Sequence, residues 1–208
     1  MINKIKKIVI ATGGTGGHIF PAYSLAKHFK DKKINVELIS DERGLKYLQN
    51  EEGLKIIKIP SSTIFKKNIF KLLFSLLIIL YSTIRSLIYL FFNRPNFVFG
   101  MGGYSSFSFC LAAKILNIPF IIYENNLYIG KANKYLLPFA KKLFVSNNDL
   151  EGVTDKYKNK ICEIGNIIRK EILNFEKKTD NKKKDGEIKI LILGGSQAAK
   201  IFAEKLPD

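Results

Sequence analysis

Three times in this chain an apolar strand runs straight into a glycine turn and then a helix, and that unit restricts the fold more than any other feature. Residues 5–11 are β-branched and apolar, as a strand buried on both faces requires, and they enter Gly13-Gly14-Thr15-Gly16-Gly17-His18. Helical spacing follows from about Ile19, with Leu25 and Phe29 four residues apart and lysines gathering toward the C-terminal end. Residues 97–99 lead in the same way into Gly100-Met101-Gly102-Gly103-Tyr104 and a helix over 105–116. Residues 188–193 enter Gly194-Gly195-Ser196-Gln197 and a helix from about Ala198. Between these units the patterning predicts strands at 35–40, 119–124, 142–146 and near 160–164, with helices at 43–52 and 132–140. Such alternation calls for an α/β fold built on a parallel, doubly wound sheet.

At 208 residues the chain accommodates one or two domains of roughly 100–200 residues each. Residues 1–165 read as one Rossmann-like domain and 166–187 as a linker, its 176–187 portion almost purely polar and charged. Residues 188–208 read as the start of a second domain of the same class, too short to complete it, so the expectation is a truncated protein. The N-terminus has a basic start and a short apolar run ending in glycines, without the longer apolar region of a signal peptide, which predicts a cytoplasmic chain. Cys110 and Cys162, the two cysteines, suggest neither a disulfide framework nor a zinc site.

A glycine turn between strand and helix lets backbone N–H groups approach a ligand closely and aims the positive end of the helix at it, which favours phosphate or diphosphate. Neither of the first two turns carries the Lys-Ser/Thr pair of a P-loop, so P-loop ATPase or kinase chemistry is not expected. A dinucleotide fingerprint can begin at Gly14 and Gly16, but Ile19 stands where its third small residue belongs, which makes hydride transfer a weak second choice. His18 lies at a helix N-terminus, where the imidazolium is disfavoured, so a neutral ring is available as a general base or simply as a cap. Glu124 ends an apolar strand and is followed by Asn125 and Asn126, placing a carboxylate and two amides where parallel sheets bind ligands; asparagine pairs are also ordinary turn residues.

The net charge is +16, yet only four of the 34 cations are arginine, so lysine-rich composition accounts for part of the excess. No interleaved basic and aromatic motif accompanies it, and no nucleic-acid partner is expected. Residues 69–92 are the most apolar part of the chain, with 13 uncharged residues between Lys71 and Arg85. As a helix, this segment gathers Lys71, Ser75, Ser82, Arg85 and Ser86 near one stripe and surrounds them with Leu, Ile, Phe and Tyr. The expectation is that part of the apolar circumference packs on the sheet. The rest, flanked by Lys66 and Lys67, would meet an anionic membrane through residues 66–92; packing wholly in the core and a genuine span are the alternatives, the uncharged run falling short of the ~18–20 apolar residues a span needs.

The segments IATGGTGGHIFPAYSLA (10–26), FGMGGYSSFSFCLAA (99–113), YENNLYIGKANK (123–134), GNIIR (165–169) and GGSQAAKI (194–201) closely resemble the MurG family. These bacterial transferases of peptidoglycan synthesis move N-acetylglucosamine from UDP onto undecaprenyl-diphosphate-linked N-acetylmuramoyl-pentapeptide. The resemblance implies a GT-B architecture of two Rossmann-like domains and an inverting hexosyl transfer that uses neither metal nor cofactor. It implies that His18 is the base for the acceptor hydroxyl and that Thr15, Gly16, Gly17, Asn126, Arg169 and Ser196 contact the UDP-sugar. Gly102, Gly103 and Tyr104 would lie at the acceptor diphosphate. It further implies a peripheral protein at the cytoplasmic face of the plasma membrane, with roles in cell wall biogenesis, cell shape and division.

Three departures from the family pattern stand out: Asn125 in place of Gln, Ile167 in place of Pro, and Ala198 in place of Gly. Because the family keeps its uracil and ribose contacts in the second domain, little or no turnover is expected of these 208 residues alone. The alternative function is a non-catalytic, membrane-associated module that binds the acceptor.

Overall fold

The computed structural model describes residues 5–48, 53–62, 68–174 and 204, and one compact unit runs to Leu173. The expected third glycine turn, with Ser196 and Ala198, lies outside the described residues, as do Lys66 and Lys67. Seven strands form the sheet: β1 (Lys7–Ala11), β2 (Asn35–Ser40), β3 (Lys55–Lys58), β4 (Phe97–Gly100), β5 (Phe120–Glu124), β6 (Leu143–Val145) and β7 (Ile161–Glu163). All neighbours pair in parallel, in the order β3-β2-β1-β4-β5-β6-β7. The helices are α1 (Gly16–Asp31), α2 (Glu42–Leu45), α3 (Ile69–Phe92), α4 (Tyr104–Ile115), α5 (Lys131–Leu136) and α6 (Lys170–Leu173), with a 3₁₀ turn at Asp155–Lys160.

The chain winds outward from β1 to β3, then returns through α3 to β4 on the other side of β1 and continues to β7. Winding therefore reverses between β1 and β4, the place in an open parallel sheet where a crevice opens at the carboxyl ends of the strands. Both described glycine turns follow the two strands that flank this reversal. One apolar core joins Val9, Ala11, Val98 and Ile122 to Leu90 of α3, Phe109 and Ala113 of α4 and Leu136 of α5. The other joins Ile8, Ile10 and Leu38 to Ile19, Ala22 and Ala26 of α1, so the helices lie on both faces of the sheet.

Several elements differ from expectation. Helix α1 starts at Gly16, three residues earlier than its apolar spacing suggests, because the N–H groups of His18 and Ile19 both bond to the Thr15 carbonyl and draw the glycines into the first turn. Of the helix expected over 43–52, the described residues to 48 form a single turn, α2, capped by Asp41, whose carboxylate accepts from the Gly44 N–H at 2.9 Å, while 49–52 lie outside the described residues. The unexpected β3 is a four-residue edge strand, KIIK, whose lysine ends hide its period and suit an edge.

The most consequential difference concerns α3. Its buried residues are Ser75, Ser82, Thr83, Ser86 and Leu90, so the small polar stripe faces inward and most of the large apolar residues face out. Phe70, Phe74, Leu77 and Phe92 are 78%, 64%, 63% and 77% exposed. Helix α3 packs along α4, whose buried face is itself rich in small side chains: Ser105, Ser106, Ser108, Cys110, Ala112 and Ala113. Small residues on both sides permit close approach of the two backbones. Burial of Ser75, Thr83 and Ser86 costs little because they donate to the carbonyls of Lys71, Ile79 and Ser82 within the helix, at 2.8, 2.8 and 2.7 Å, whereas the buried Ser82 hydroxyl has no hydrogen-bond partner among the described residues. Tyr89 adds a polar anchor by donating to Glu37 of β2, which also pairs with Lys7 and Lys55 at 2.8 and 2.7 Å.

Candidate active site

The two glycine turns touch backbone to backbone. A Cβ added at Gly103 would lie 2.5 Å from the Gly13 carbonyl oxygen, and one at Gly102 would lie 2.7 Å from Nδ1 of His18. Both residues hold positive φ, +88° at Gly102 and +85° at Gly103, which an L side chain adopts only with strain. Glycine is thus required here twice over, by conformation and by space. Ser105 ties the turns further by donating to the Thr12 carbonyl at 2.5 Å.

His18, in the first turn of α1, projects into a hollow of about 330 Å³ whose wall also includes Gly102, Gly103, Tyr104, Glu124, Asn126, Gly130, Lys131, Ala132 and Asn133. Burial pushes the His18 pKa below its ordinary 6.5, against the opposing effects of the Glu124 charge and a hydrogen bond to the Met101 backbone. A ring that donates to a backbone carbonyl through one nitrogen keeps the other free to accept a proton, which is the form a general base needs near neutral pH. Gly103 caps α4 and Tyr104 begins it, so the first-turn N–H groups of α4 open beside the same hollow. Thr15 is the N-cap residue of α1, and Gly16 and Gly17 are its first two residues.

Glu124 does not present a bare carboxylate. Its Oε1 accepts from the Asn126 N–H and Nδ2 at 3.2 and 2.7 Å, and its Oε2 from the Gly130 N–H and Asn133 Nδ2 at 2.8 and 3.0 Å. This buried side chain organises the loop between β5 and α5 rather than offering both oxygens to a ligand. The neighbouring Asn125 donates through Nδ2 to the Gly17 carbonyl at 3.2 Å, joining that loop to the first glycine turn.

Arg169 stands apart from this hollow. Its guanidinium stacks over the Phe20 ring, 4.5 Å from the centroid, and lines a second hollow of about 290 Å³ with Tyr23, Ser24, Lys27 and His28 of α1. Tyr123 steadies the approach to Arg169, its hydroxyl donating to the Gly165 carbonyl at 3.3 Å and accepting from the Ile167 N–H at 3.4 Å. Arg169 therefore packs against helix α1, which carries His18, without sharing the His18 pocket.

Sequence reasoning passed over Asp41, Asn133 and Lys131. Asp41 is buried at the carboxyl end of β2 and accepts from the Gly14 N–H at 3.0 Å, from Gly44, from Ser61 at 2.5 Å and from Arg43 at 3.0 Å, so it braces the first glycine turn from behind. Burial raises its pKa, but these hydrogen bonds outweigh it and hold the carboxyl below its usual range. The signal available for Asp41 was its position, immediately after a buried strand of a parallel sheet.

Winding reversal flanked by two touching glycine turns, with His18 between them, is the arrangement of an N-terminal Rossmann-like domain of the GT-B type. Residues 8–145 match the model of the glycosyltransferase family 28 N-terminal domain, and the chain belongs to that family. It is 37% identical over 198 residues to the UDP-N-acetylglucosamine--N-acetylmuramyl-(pentapeptide) pyrophosphoryl-undecaprenol N-acetylglucosamine transferase of Pelagibacter ubique, covering 95% of this chain and 54% of that protein. The protein of the same name from Rickettsia felis is 38% identical over 211 residues, covering 98% and 56%. Among solved structures, Acinetobacter baumannii MurG superposes with a TM-score of 0.71 at 25% identity, covering 97% of this chain and 56% of that one. A glycosyltransferase from Rickettsia africae, at a TM-score of 0.55 and 21% identity over 78% of this chain and 43% of its own, shares the fold. The chain spans about half the length of the curated relatives it matches.

Proposed function

We propose that this chain forms the acceptor-binding, base-bearing half of an inverting N-acetylglucosaminyltransferase. The donor is UDP-N-acetylglucosamine and the acceptor undecaprenyl-diphosphate-linked N-acetylmuramoyl-pentapeptide. The observation that carries the reading is the pocket in which a half-buried, neutral His18 faces the glycine turn Gly102-Gly103 and the start of α4. The acceptor diphosphate lies against Gly102, Gly103 and Tyr104, where helix N–H groups and the helix dipole receive its charge. His18 takes the proton of the acceptor hydroxyl as the oxygen attacks the anomeric carbon. The bond from that carbon to the UDP oxygen breaks from the opposite face, UDP carries away the electron pair, and configuration inverts. Thr15, Gly16, Gly17, Asn126 and Arg169 contact the sugar nucleotide.

The outward face of α3 supports a peripheral position on the cytoplasmic leaflet. Its 18-residue window of mean hydropathy 1.9 is only 22% buried, and length and composition would also suffice for a span. The serine stripe packed along α4 and the Tyr89 anchor to Glu37 favour a helix held on the domain, its exposed Phe and Leu side chains entering the headgroup boundary beside exposed Lys71 and Arg85. The narrower reading, a membrane-associated acceptor-binding module without catalysis, draws on the same pocket and helix and differs in the role of His18.

The decisive experiment joins residues 1–165 to the C-terminal half of Acinetobacter baumannii MurG and follows labelled N-acetylglucosamine into a lipid acceptor. Transfer that falls at least ~100-fold in His18→Ala is expected of a general base. A folded chimera whose transfer is indifferent to His18→Ala overturns the mechanism, and one that binds acceptor without transfer favours the module.

A further inference from the structure

The charges on the wall of the His18 pocket do not suit an anionic ligand until Lys131 is counted. Glu124 brings a carboxylate to that wall, and the lowered pKa of His18 removes the cation that a histidine could have supplied. The other wall residues, Gly102, Gly103, Tyr104, Asn126, Gly130, Ala132 and Asn133, are uncharged at neutral pH, leaving Lys131 as the cation among them. Glu124 does not consume it: both carboxylate oxygens are occupied by Asn126, Gly130 and Asn133. Among the described residues no acidic side chain pairs with Lys131, whereas Lys7, Lys55, Lys58, Lys158 and Lys170 all have such partners. Lys131 is exposed and begins α5, on the pocket wall formed by the loop after β5, while the glycine turn and α4 come from the neighbouring β4.

We infer that Lys131 is a binding residue for the acceptor diphosphate, its ammonium pairing with phosphate oxygens from the wall formed by the loop after β5 and offsetting repulsion from Glu124. The inference rests on the reading of this pocket as the acceptor diphosphate site. An ammonium on a flexible stem suits a diphosphate whose two phosphates turn relative to each other, because it acts as a movable point charge.

Titration calorimetry of the 208-residue chain with farnesyl diphosphate and with farnesol separates the two ideas. The wild-type chain is expected to bind the diphosphate more tightly than the alcohol. Lys131→Gln should weaken the diphosphate at least tenfold and leave farnesol unchanged, and Lys131→Arg should stay within about threefold of wild type. Lys134→Gln, on the same helix but off the pocket wall, should match wild type. Unweakened diphosphate binding by a folded Lys131→Gln chain, or an equal loss in Lys134→Gln, overturns the role of Lys131 while the pocket reading stands. A wild-type chain with no preference for diphosphate over alcohol overturns both.

Discussion

The side-chain amide of Asn125 donates to the Gly17 carbonyl at 3.2 Å, the acceptor that the residue four positions on, Pro21, cannot use. Proline inside α1 lacks the N–H that would close the bond to Gly17, and the freed carbonyl becomes the tether between the first glycine turn and the loop after β5. Asn125→Ala should therefore lower stability by about 1 kcal/mol. In a Pro21→Ala background the helix reclaims the Gly17 carbonyl, and the same change should cost less than half as much. A urea-denaturation double-mutant cycle measures the coupling, and additive costs would show that the tether is incidental.

Close approach at Gly102 and Gly103 predicts an ordered pair of effects. Gly103→Ala drives a methyl into the Gly13 backbone, which cannot rotate away, and should cost more than about 2 kcal/mol by thermal or urea unfolding. Gly102→Ala meets the His18 ring, which can shift, so it should cost less stability and displace the imidazole instead. The His18 titration followed by NMR should move in Gly102→Ala, and an unchanged titration would contradict the contact.

The inverted helix α3 predicts that hydrophobicity and stability part company. Ser86→Leu should destabilise by about 1–3 kcal/mol, because it overpacks the close contact with α4. Leu77→Ser on the outer face should change solution stability by no more than about 0.5 kcal/mol and reduce co-sedimentation with anionic liposomes. If Leu77→Ser unfolded the chain and Ser86→Leu did not, the orientation of α3 described above would be wrong.

Glu37 predicts a pH dependence. Burial works against its ionisation but is outweighed by hydrogen bonds from Lys55, Lys7 and Tyr89, which hold its folded pKa below the ordinary 4.5. A depressed carboxylate contributes stability that is fully present above about pH 4.5 and is lost as pH falls through the folded value. Glu37→Gln should thus cost about 1–3 kcal/mol at pH 7, and the gap between variant and wild type should narrow under acid. Urea melts at pH 7 and pH 3.5 test this, and a gap independent of pH would exclude the carboxylate as its source.

Six of the seven strands were legible because strands buried in a parallel sheet carry short, nearly continuous apolar runs, as in KIVIA of β1 and FIIYE of β5. KIIK of β3 was not, since two isoleucines between lysines have no period long enough to read. The glycine turns and His18 were legible as candidates for an anion site and a base, and the structure brings His18 against Gly102. Asp41, Asn133 and Lys131 had no such mark: Asp41 reaches Gly14 only because β2 pairs with β1, and Lys131 joins His18 only because β5 lies beside β4.

The residues alone determined an α/β sheet, its glycine turns and an apolar helix at 69–92 with a serine stripe. Only the tertiary structure decided which side of that helix turns inward. Hydrophobicity measures what a side chain gains by leaving water, and on that measure the phenylalanines and leucines of α3 belong inside. The space they would occupy is set by the opposing surface, and α4 presents serines and alanines that let a stripe of small residues come close, leaving the large apolar side chains facing out.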